Sequence, residues 1–432
     1  MVDIKSLEPK IIDYRRDFHK YAEGGWAEFR TSSIVAEKLV ELGYEVSVGL
    51  DIAEPEVVLS KPDDEYIEEQ KARAIRQGAD PKWVEKMNNI TGVVGVLSTG
   101  RPGPVIGLRF DMDALLIDEE QKEGHFPYDQ GFASINKGFD HACGHDGHTA
   151  IGLVTAEVIA SMQEELKGTI KLIFQPAEEL GGGARAIVEK GILDDVDYFV
   201  ATHVGMTYQG LGLPSNACAC GFNDFLDSRF YNVFYAGKAS HPCGDPHVGR
   251  NALLAACTAA LNIHTIAPHS EGLFRSNVGI LQAGTARNAI APNAYMEVEV
   301  RGETTKISDY GEKRLLTIIE HAAKSYDVDF EVEFKANTPS GKSDPEMVKI
   351  IMEEASKLPW FENVYEEGEV GGSEDATEMM TRVQSKGGLA TYIAVGADLS
   401  GTVHSSQFDF DEDCMINGVE LLTAVVKKIG SK

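Results

Sequence analysis

Cysteine is scarce in this chain, and so is positive charge. The six cysteines, at 143, 218, 220, 243, 257 and 414 of 432 residues, form no CxxC pair and no regular framework. A core of the size this length allows needs no disulfide staples. A reducing cytoplasm is the expected compartment, and Cys143 is available as a metal ligand. Lys and Arg number 40 against 68 Asp and Glu, a formal net charge of −28. Such a charge repels phosphate backbones and anionic bilayers, which argues against nucleic acid and membrane as partners. No apolar run approaches the roughly 20 residues of a membrane helix. The N-terminal ten residues, charged from Asp3 onward, lack a signal peptide's apolar segment, so a soluble, unexported protein is expected. There is no GxSxG elbow of a serine hydrolase.

One short stretch is rich where the rest is sparse. Twelve histidines spread over 432 residues would put about 0.2 in eight positions, yet His141-Ala-Cys143-Gly-His145-Asp146-Gly-His148 holds three, with a cysteine and an aspartate. Imidazole, thiolate and carboxylate are the side chains that bind zinc-like ions, and the two glycines let the backbone turn tightly enough to bring them together. The competing reading is a histidine-rich turn that only caps the following helix. The apolar run Thr149–Ala160 forms a core helix without such help, so a metal site is the reading adopted.

A hydrophobic content of 43% is ordinary for a globular chain with room for two domains. Residues 8–22 and 31–43 have amphipathic helical spacing. Residues 51–89 form a polar, charged, helical insert expected to lie on a solvated surface. Strand-like runs recur at 92–97, 105–110, 169–174, 196–202 and 391–395 with helices between several of them, which predicts a mixed, largely parallel sheet in an α/β domain. From 214 to 336 the order becomes βαββαβ, the ferredoxin-like pattern, read as a second domain inserted into one formed by 1–213 and 337–432. Ala336-Asn-Thr-Pro-Ser-Gly341-Lys342-Ser343 nearly spells a phosphate loop but lacks its first glycine, and Asp344-Pro345 reads as a helix start.

In α/β sheets ligands gather beyond the carboxyl ends of the strands. Here those ends lead into Asp111-Met-Asp113, Gln175-Pro-Ala-Glu178-Glu179, His203 and, after a loop, His404. The adjacent carboxylates suggest divided labour, one binding metal and the other moving protons; the alternative is a solvated acidic pair opening a helix. His203 and His404 read singly are ordinary buried histidines. Together, Cys143, His145, Glu179, His203 and His404 supply donors for two metal ions sharing a water.

These motifs resemble the M20 metallopeptidases, in particular their amidohydrolase branch: His141–Thr149, Gln175–Glu179, His203-Val204 and His404-Ser-Ser-Gln-Phe408. The resemblance extends to Arg15-Arg-Asp-Phe-His19, Asp111–Leu115, Ala239-Ser-His241 and Gly372–Thr377, and so to nearly the whole chain. Trp26–Thr31, the 51–89 insert, Asp195–Phe199 and Phe408–Glu412 point within the branch to hydrolases of aminobenzoyl-glutamate type. The resemblance implies that Cys143, His145, Glu179, His203 and His404 hold two divalent ions, Zn or Mn, with Asp111 and Asp113 behind them. It implies that Glu178 is general base and then acid, and that His241 stabilises the oxyanion. The smaller domain becomes lid and dimerisation surface, with Arg287, Asn288 and Arg301 matching positions that grip a substrate carboxylate, or else forming surface ion pairs.

The implied reaction is hydrolysis of an N-acyl amino acid, with p-aminobenzoyl-glutamate as leading substrate, by a homodimer or a heteromer with a related chain. The alternatives are a broader N-acyl-amino-acid hydrolase or dipeptidase, and a non-autonomous member of a heteromeric hydrolase. Three departures bear on this. Asp111 stands where other M20 branches place a histidine ligand. Leu116-Ile117 replaces Leu-Pro, and Ala239-Ser-His241-Pro replaces Gly-Gly-His-Ala.

Overall fold

The computed structural model describes residues 2–431. In chain order the first half contains α1 (Glu8–Lys20), α2 (Phe29–Glu41), β1 (Glu45–Val48), α3 (Asp64–Arg76), α4 (Pro81–Met87), β2 (Val93–Ser98), β3 (Val105–Asp111), α5 (His145–Ser161), β4 (Thr169–Gln175), α6 (Gly183–Glu189), β5 (Tyr198–Val204) and β6 (Ala217–Ala219). There follow β7 (Asp227–Ala236), α7 (Ala252–Ile263), β8 (Phe274–Ala283), β9 (Asn293–Gly302), α8 (Thr305–Ser325) and β10 (Asp329–Thr338). The chain closes with α9 (Pro345–Ala355), β11 (Asn363–Tyr365), α10 (Ala376–Ser385), β12 (Leu389–Val395) and α11 (Cys414–Gly430).

Two compact units result, one of Met1–Asn223, Lys342–Val370 and Asp375–Lys432, the other of Asp224–Gly341 and Gly371–Glu374. The first holds an eight-stranded mixed sheet in the order β1-β2-β4-β3-β5-β12-β6-β11. Its centre, β4, β3, β5 and β12, is parallel throughout, while β1, β2 and the β6–β12 pair run antiparallel. Strands buried on both faces lose the alternation of polar and apolar residues, and β3 and β5 are buried along nearly their whole length. The second unit is a four-stranded antiparallel sheet in the order β8-β9-β7-β10 with α7 and α8 against it. With two helices, that order is the ferredoxin-like arrangement.

The inserted unit begins at Asp224 and not near 214, because Ala217–Ala219 pairs with β12 and β11 in the first sheet. A three-residue strand is too short to show a period. The 51–89 insert is also not merely a solvated surface. Ile67, Ala74, Trp83, Val84 and Met87 are buried in the main core, since most of the charged residues of α3 and α4 lie on their outer faces. Ser343, at the end of the phosphate-loop look-alike, is buried and accepts the Phe222 N–H at 2.9 Å, a structural link within the first unit. Asp344 stands at the N-terminus of α9, but its carboxylate accepts the Ala390 N–H at 2.7 Å.

Helix α5 carries the histidine-rich stretch at its N-terminus and is buried over most of its length. It lies close to β3 and β4: a Cβ built on Gly152 would stand 2.6 Å from the Phe174 ring and 2.8 Å from that of Phe110. Gly152→Val is therefore expected to cost about 1–3 kcal/mol by overpacking, read as a lowered midpoint of thermal unfolding. An unchanged midpoint would contradict this packing.

Candidate metal centre

Gly144, with φ of 88°, lets the chain turn into α5 and leaves Cys143 and His145 on either side of the bend. A side chain there would strain the backbone and press on Val204. His203 belongs to β5 itself, not to the loop after it. Its Nδ1 lies 2.6 Å from the Val204 carbonyl, so Nδ1 carries the proton and the Nε2 lone pair faces Cys143 Sγ at 3.5 Å. His404, on a loop with φ of 64°, is anchored by its N–H to the Ala142 carbonyl at 2.8 Å, and its Nε2 lies 3.5 Å from Glu179 Oε1.

Two triads of donor atoms result, Cys143–His145–His203 and Cys143–Glu179–His404, the atoms of each lying within 4.8 Å of one another. They share Cys143. Glu178 joins His145 and Glu179 in a third group of the same kind. The sequence-predicted donors Cys143, His145, Glu178, Glu179, His203 and His404 thus converge in the first unit.

His148 takes a different part. Its Nε2 accepts the Val204 N–H at 2.8 Å, so Nδ1 carries the proton and donates it to Asp111. Both ring nitrogens are committed, which leaves His148 without a lone pair for an ion. Asp111 also receives Arg109, at 2.6 Å, and burial alone would push its carboxyl up. His145 and Arg109 outweigh that and hold it well below the usual range.

The Glu178–Glu179 turn is locked by groups behind it. Asp113 accepts the N–H of Glu178 and of Glu179, each at 3.0 Å, and Glu28 accepts the N–H of Ala177 at 2.8 Å. Ala177 has φ of 53°, a left-handed conformation that costs an alanine roughly 1–2 kcal/mol. Sequence reasoning missed Glu28, although it stands inside the Trp26–Thr31 motif. It also missed Arg109, Gln175 and Asp375: Arg109 donates to Gln175 at 2.8 Å and to Asp375 at 3.1 Å, and Gln175 donates to Asp375 at 2.7 Å. Gln175 and Asp375 lie in motifs already singled out; a lone buried arginine inside a strand leaves no such signal.

The donor set fits a metal ion on chemical grounds. Both nitrogens of His145 and Oε1 of Glu179 are buried with no hydrogen-bond partner. Burial pushes the Cys143 thiol well up and Glu179 up to about 7, so both lack the positive charge that their ionised forms need.

His241, Arg287, Asn288 and Arg301 belong to the second unit. His241 Nδ1 accepts the N–H groups of Cys243 and Gly244 at 3.1 and 2.9 Å, which leaves Nε2–H as an exposed donor. Arg287 and Asn288 are exposed on the loop between β8 and β9. Arg301 is engaged by Glu299 at 3.0 Å.

A mixed sheet that collects a thiol, imidazoles and carboxylates at its strand ends, with a ferredoxin-like unit inserted, defines the class of α/β metallohydrolases. The chain belongs to peptidase family M20/M25/M40, whose profile matches residues 107–428. It is 45% identical to an indole-3-acetyl-aspartic acid hydrolase of Enterobacter agglomerans, over 97% of this chain and 95% of that protein. It is 44% identical to one of the subunits of p-aminobenzoyl-glutamate hydrolase from Escherichia coli K12, with the same coverage. Among solved structures, an aminobenzoyl-glutamate utilization protein from Klebsiella pneumoniae superposes with a TM-score of 0.85 at 39% identity, covering 99% of this chain and 98% of that one.

Arg109 lies between the buried carboxylates Asp111 and Asp375. Arg109→Met, which removes the guanidinium the two share and leaves Asp111 to His148 and Asp375 to the Gln175 and Ala184 N–H groups, is expected to destabilise the fold by about 3 kcal/mol, measured by denaturant unfolding. A loss below about 1 kcal/mol would mean that the pairs carry little of the site's stability.

Proposed function

We propose that this protein is a metal-dependent amidohydrolase that cleaves the amide between an acyl group and an amino acid, with p-aminobenzoyl-glutamate as leading substrate. The observation that carries the reading is the pair of donor triads sharing Cys143, with Glu178 alongside. Cys143, His145, Glu179, His203 and His404 would hold two divalent ions, and this mixture of sulfur, nitrogen and oxygen donors suits Zn or Mn. Such ions, when bound, lower the pKa of water and polarise a carbonyl oxygen.

The chain's own groups do the rest. Glu178 takes a proton from the attacking water as the C–O bond forms, then delivers it to the nitrogen as the amide C–N bond breaks. Its position is fixed through its own backbone N–H, which Asp113 holds. Asp111 and Asp113 act from behind the ligands, orienting His145 and the Glu178–Glu179 turn. His241, with Nε2–H left to donate, is the oxyanion donor. Arg287 and Asn288 grip the amino-acid carboxylate, where a guanidinium also offsets the field of a chain with net charge −28. Arg301 would have to exchange Glu299 for substrate to join them.

The second unit acts as lid and dimerisation surface. In support, β8 is an edge strand carrying exposed Ile280 and Leu281, and α7 exposes Leu254 and Leu261. The Escherichia coli relative is named as one subunit of its hydrolase, which favours a heteromer with a related chain as the alternative assembly. The relative named for indole-3-acetyl-aspartic acid favours a second, broader substrate reading: aromatic acyl groups joined to acidic amino acids. No helix of the described residues is long and apolar enough to cross a membrane, and the reading places the enzyme in the cytoplasm.

Glu178→Gln is expected to lower kcat by about 10²–10⁴-fold while metal content by mass spectrometry is unchanged; full activity would overturn the assignment. Chelation should abolish hydrolysis of p-aminobenzoyl-glutamate and added Zn or Mn should restore it. Turnover that survives complete metal removal would contradict the reading. Comparing that substrate with indole-3-acetyl-aspartate, on the chain purified and sized alone, separates the narrow, broad and heteromeric alternatives.

A further inference from the structure

His141 and the Arg15–His19 motif remain unused by this chemistry, and they meet in a second buried cluster of the first unit. His19, Glu119, His125, Asp140, His141 and Asp146 are each less than 8% exposed. His19 Nδ1 bonds Asp146 Oδ2 at 2.9 Å, while its Nε2 faces Glu119 Oε1 at 3.1 Å and Asp140 Oδ1 at 3.8 Å. His125 Nε2 approaches the same Glu119 oxygen at 2.9 Å. Both carboxylate oxygens of Asp140 and both ring nitrogens of His141 are buried without a hydrogen-bond partner. The His141 ring lies beside that of His19, with centroids 6.2 Å apart.

Charge is out of balance here. Arg15 and Arg16 are spent on Asp146, Asp409 and Glu412, which leaves Glu119 with imidazoles and the Ser134 N–H, and Asp140 with the His19 imidazole alone. Without an ion, a proton on His19 Nε2 answers Glu119 at 3.1 Å, and it is this proton that a bound cation would displace to solvent. Asp140 stands farther from that nitrogen, at 3.8 Å, and accepts no hydrogen bond; burial outweighs the His19 charge and pushes its carboxyl up to about 7. Its place is nevertheless fixed, because its backbone pairs with Leu115 in both directions at 2.9 and 3.1 Å.

The donor geometry suits an ion. His19, Glu119 and Asp140 each offer one atom within 4.8 Å of the others, and donors around a four-coordinate ion at roughly 2.1 Å stand about 3.4 Å apart. The bond from His19 Nδ1 to Asp146 is the carboxylate–histidine pairing that orients metal-ligating imidazoles. We propose that His19 Nε2, Glu119 and Asp140, with His125 beside them, form a further divalent-cation site of the Zn or Mn class, separate from the Cys143 centre. Asp140 and Asp146 bracket Cys143 and His145 in the chain, so an ion here braces the segment that carries the catalytic donors.

The test is wild-type protein purified with excess Zn or Mn, analysed by metal mass spectrometry and by anomalous difference maps at the metal edge. The site predicts an anomalous peak at bonding distance from His19 Nε2, about three ions per chain, and a drop to about two in Asp140→Asn with the Cys143 peaks retained. A peak at His19 but none at Cys143 would support this site while sinking the functional reading. Ordered water at His19 and Asp140 in metal-saturated protein, or an Asp140→Asn protein that keeps the His19 peak, would overturn it. If Asp140→Asn does not fold, the wild-type map decides alone.

Discussion

An ionised side chain taken out of water loses several kcal/mol of hydration, and the first unit takes many of them out of water together. Asp111, Arg109, Asp146, Arg15, His19, His145 and His148 are all at or near zero exposure. The arrangement is tenable only where each charge meets an opposite one or a fixed dipole. Arg109 does this for Asp111 and Asp375, and Arg15 does it for Asp146, Asp409 and Glu412. The donors that face no such partner within the protein are those best suited to hold a cation.

This need for compensation sorts residues that look alike. His145 and His148 stand one turn apart on α5 in the same motif. His148 is used up between the Val204 amide and Asp111, while His145 keeps both nitrogens free of hydrogen bonds. Glu178 and Glu179 are likewise presented by a turn that the backbone would not choose, with Ala177 left-handed. That strain persists because Glu28 and Asp113 hold three successive amides. Rigid support of this kind is what the proposed proton transfer and metal binding at this turn would need.

Much of the candidate site was legible in advance. The density of His141–His148, the polar residues after apolar strands and the βαββαβ order each follow from local chemistry and periodicity, and the structure gathers Cys143, His145, Glu179 and His203 accordingly. The solvated face assigned to 51–89 failed because helices with charged outer sides still buried Ile67, Trp83 and Met87. Glu28 and Arg109 went unrecognised because a single charged residue carries no period, whether inside a motif or not, and its partners lie far along the chain.

By itself, then, the sequence determined which kinds of donor exist, which strand ends carry them and that a second unit interrupts the first, since these depend on residue type and on spacing within short windows. Only the tertiary structure decided which histidine keeps a lone pair, which carboxylate is neutralised and which is left bare beside His19. Those outcomes are set by distances of about 3 Å between groups remote in the chain, and by the loss of water around them.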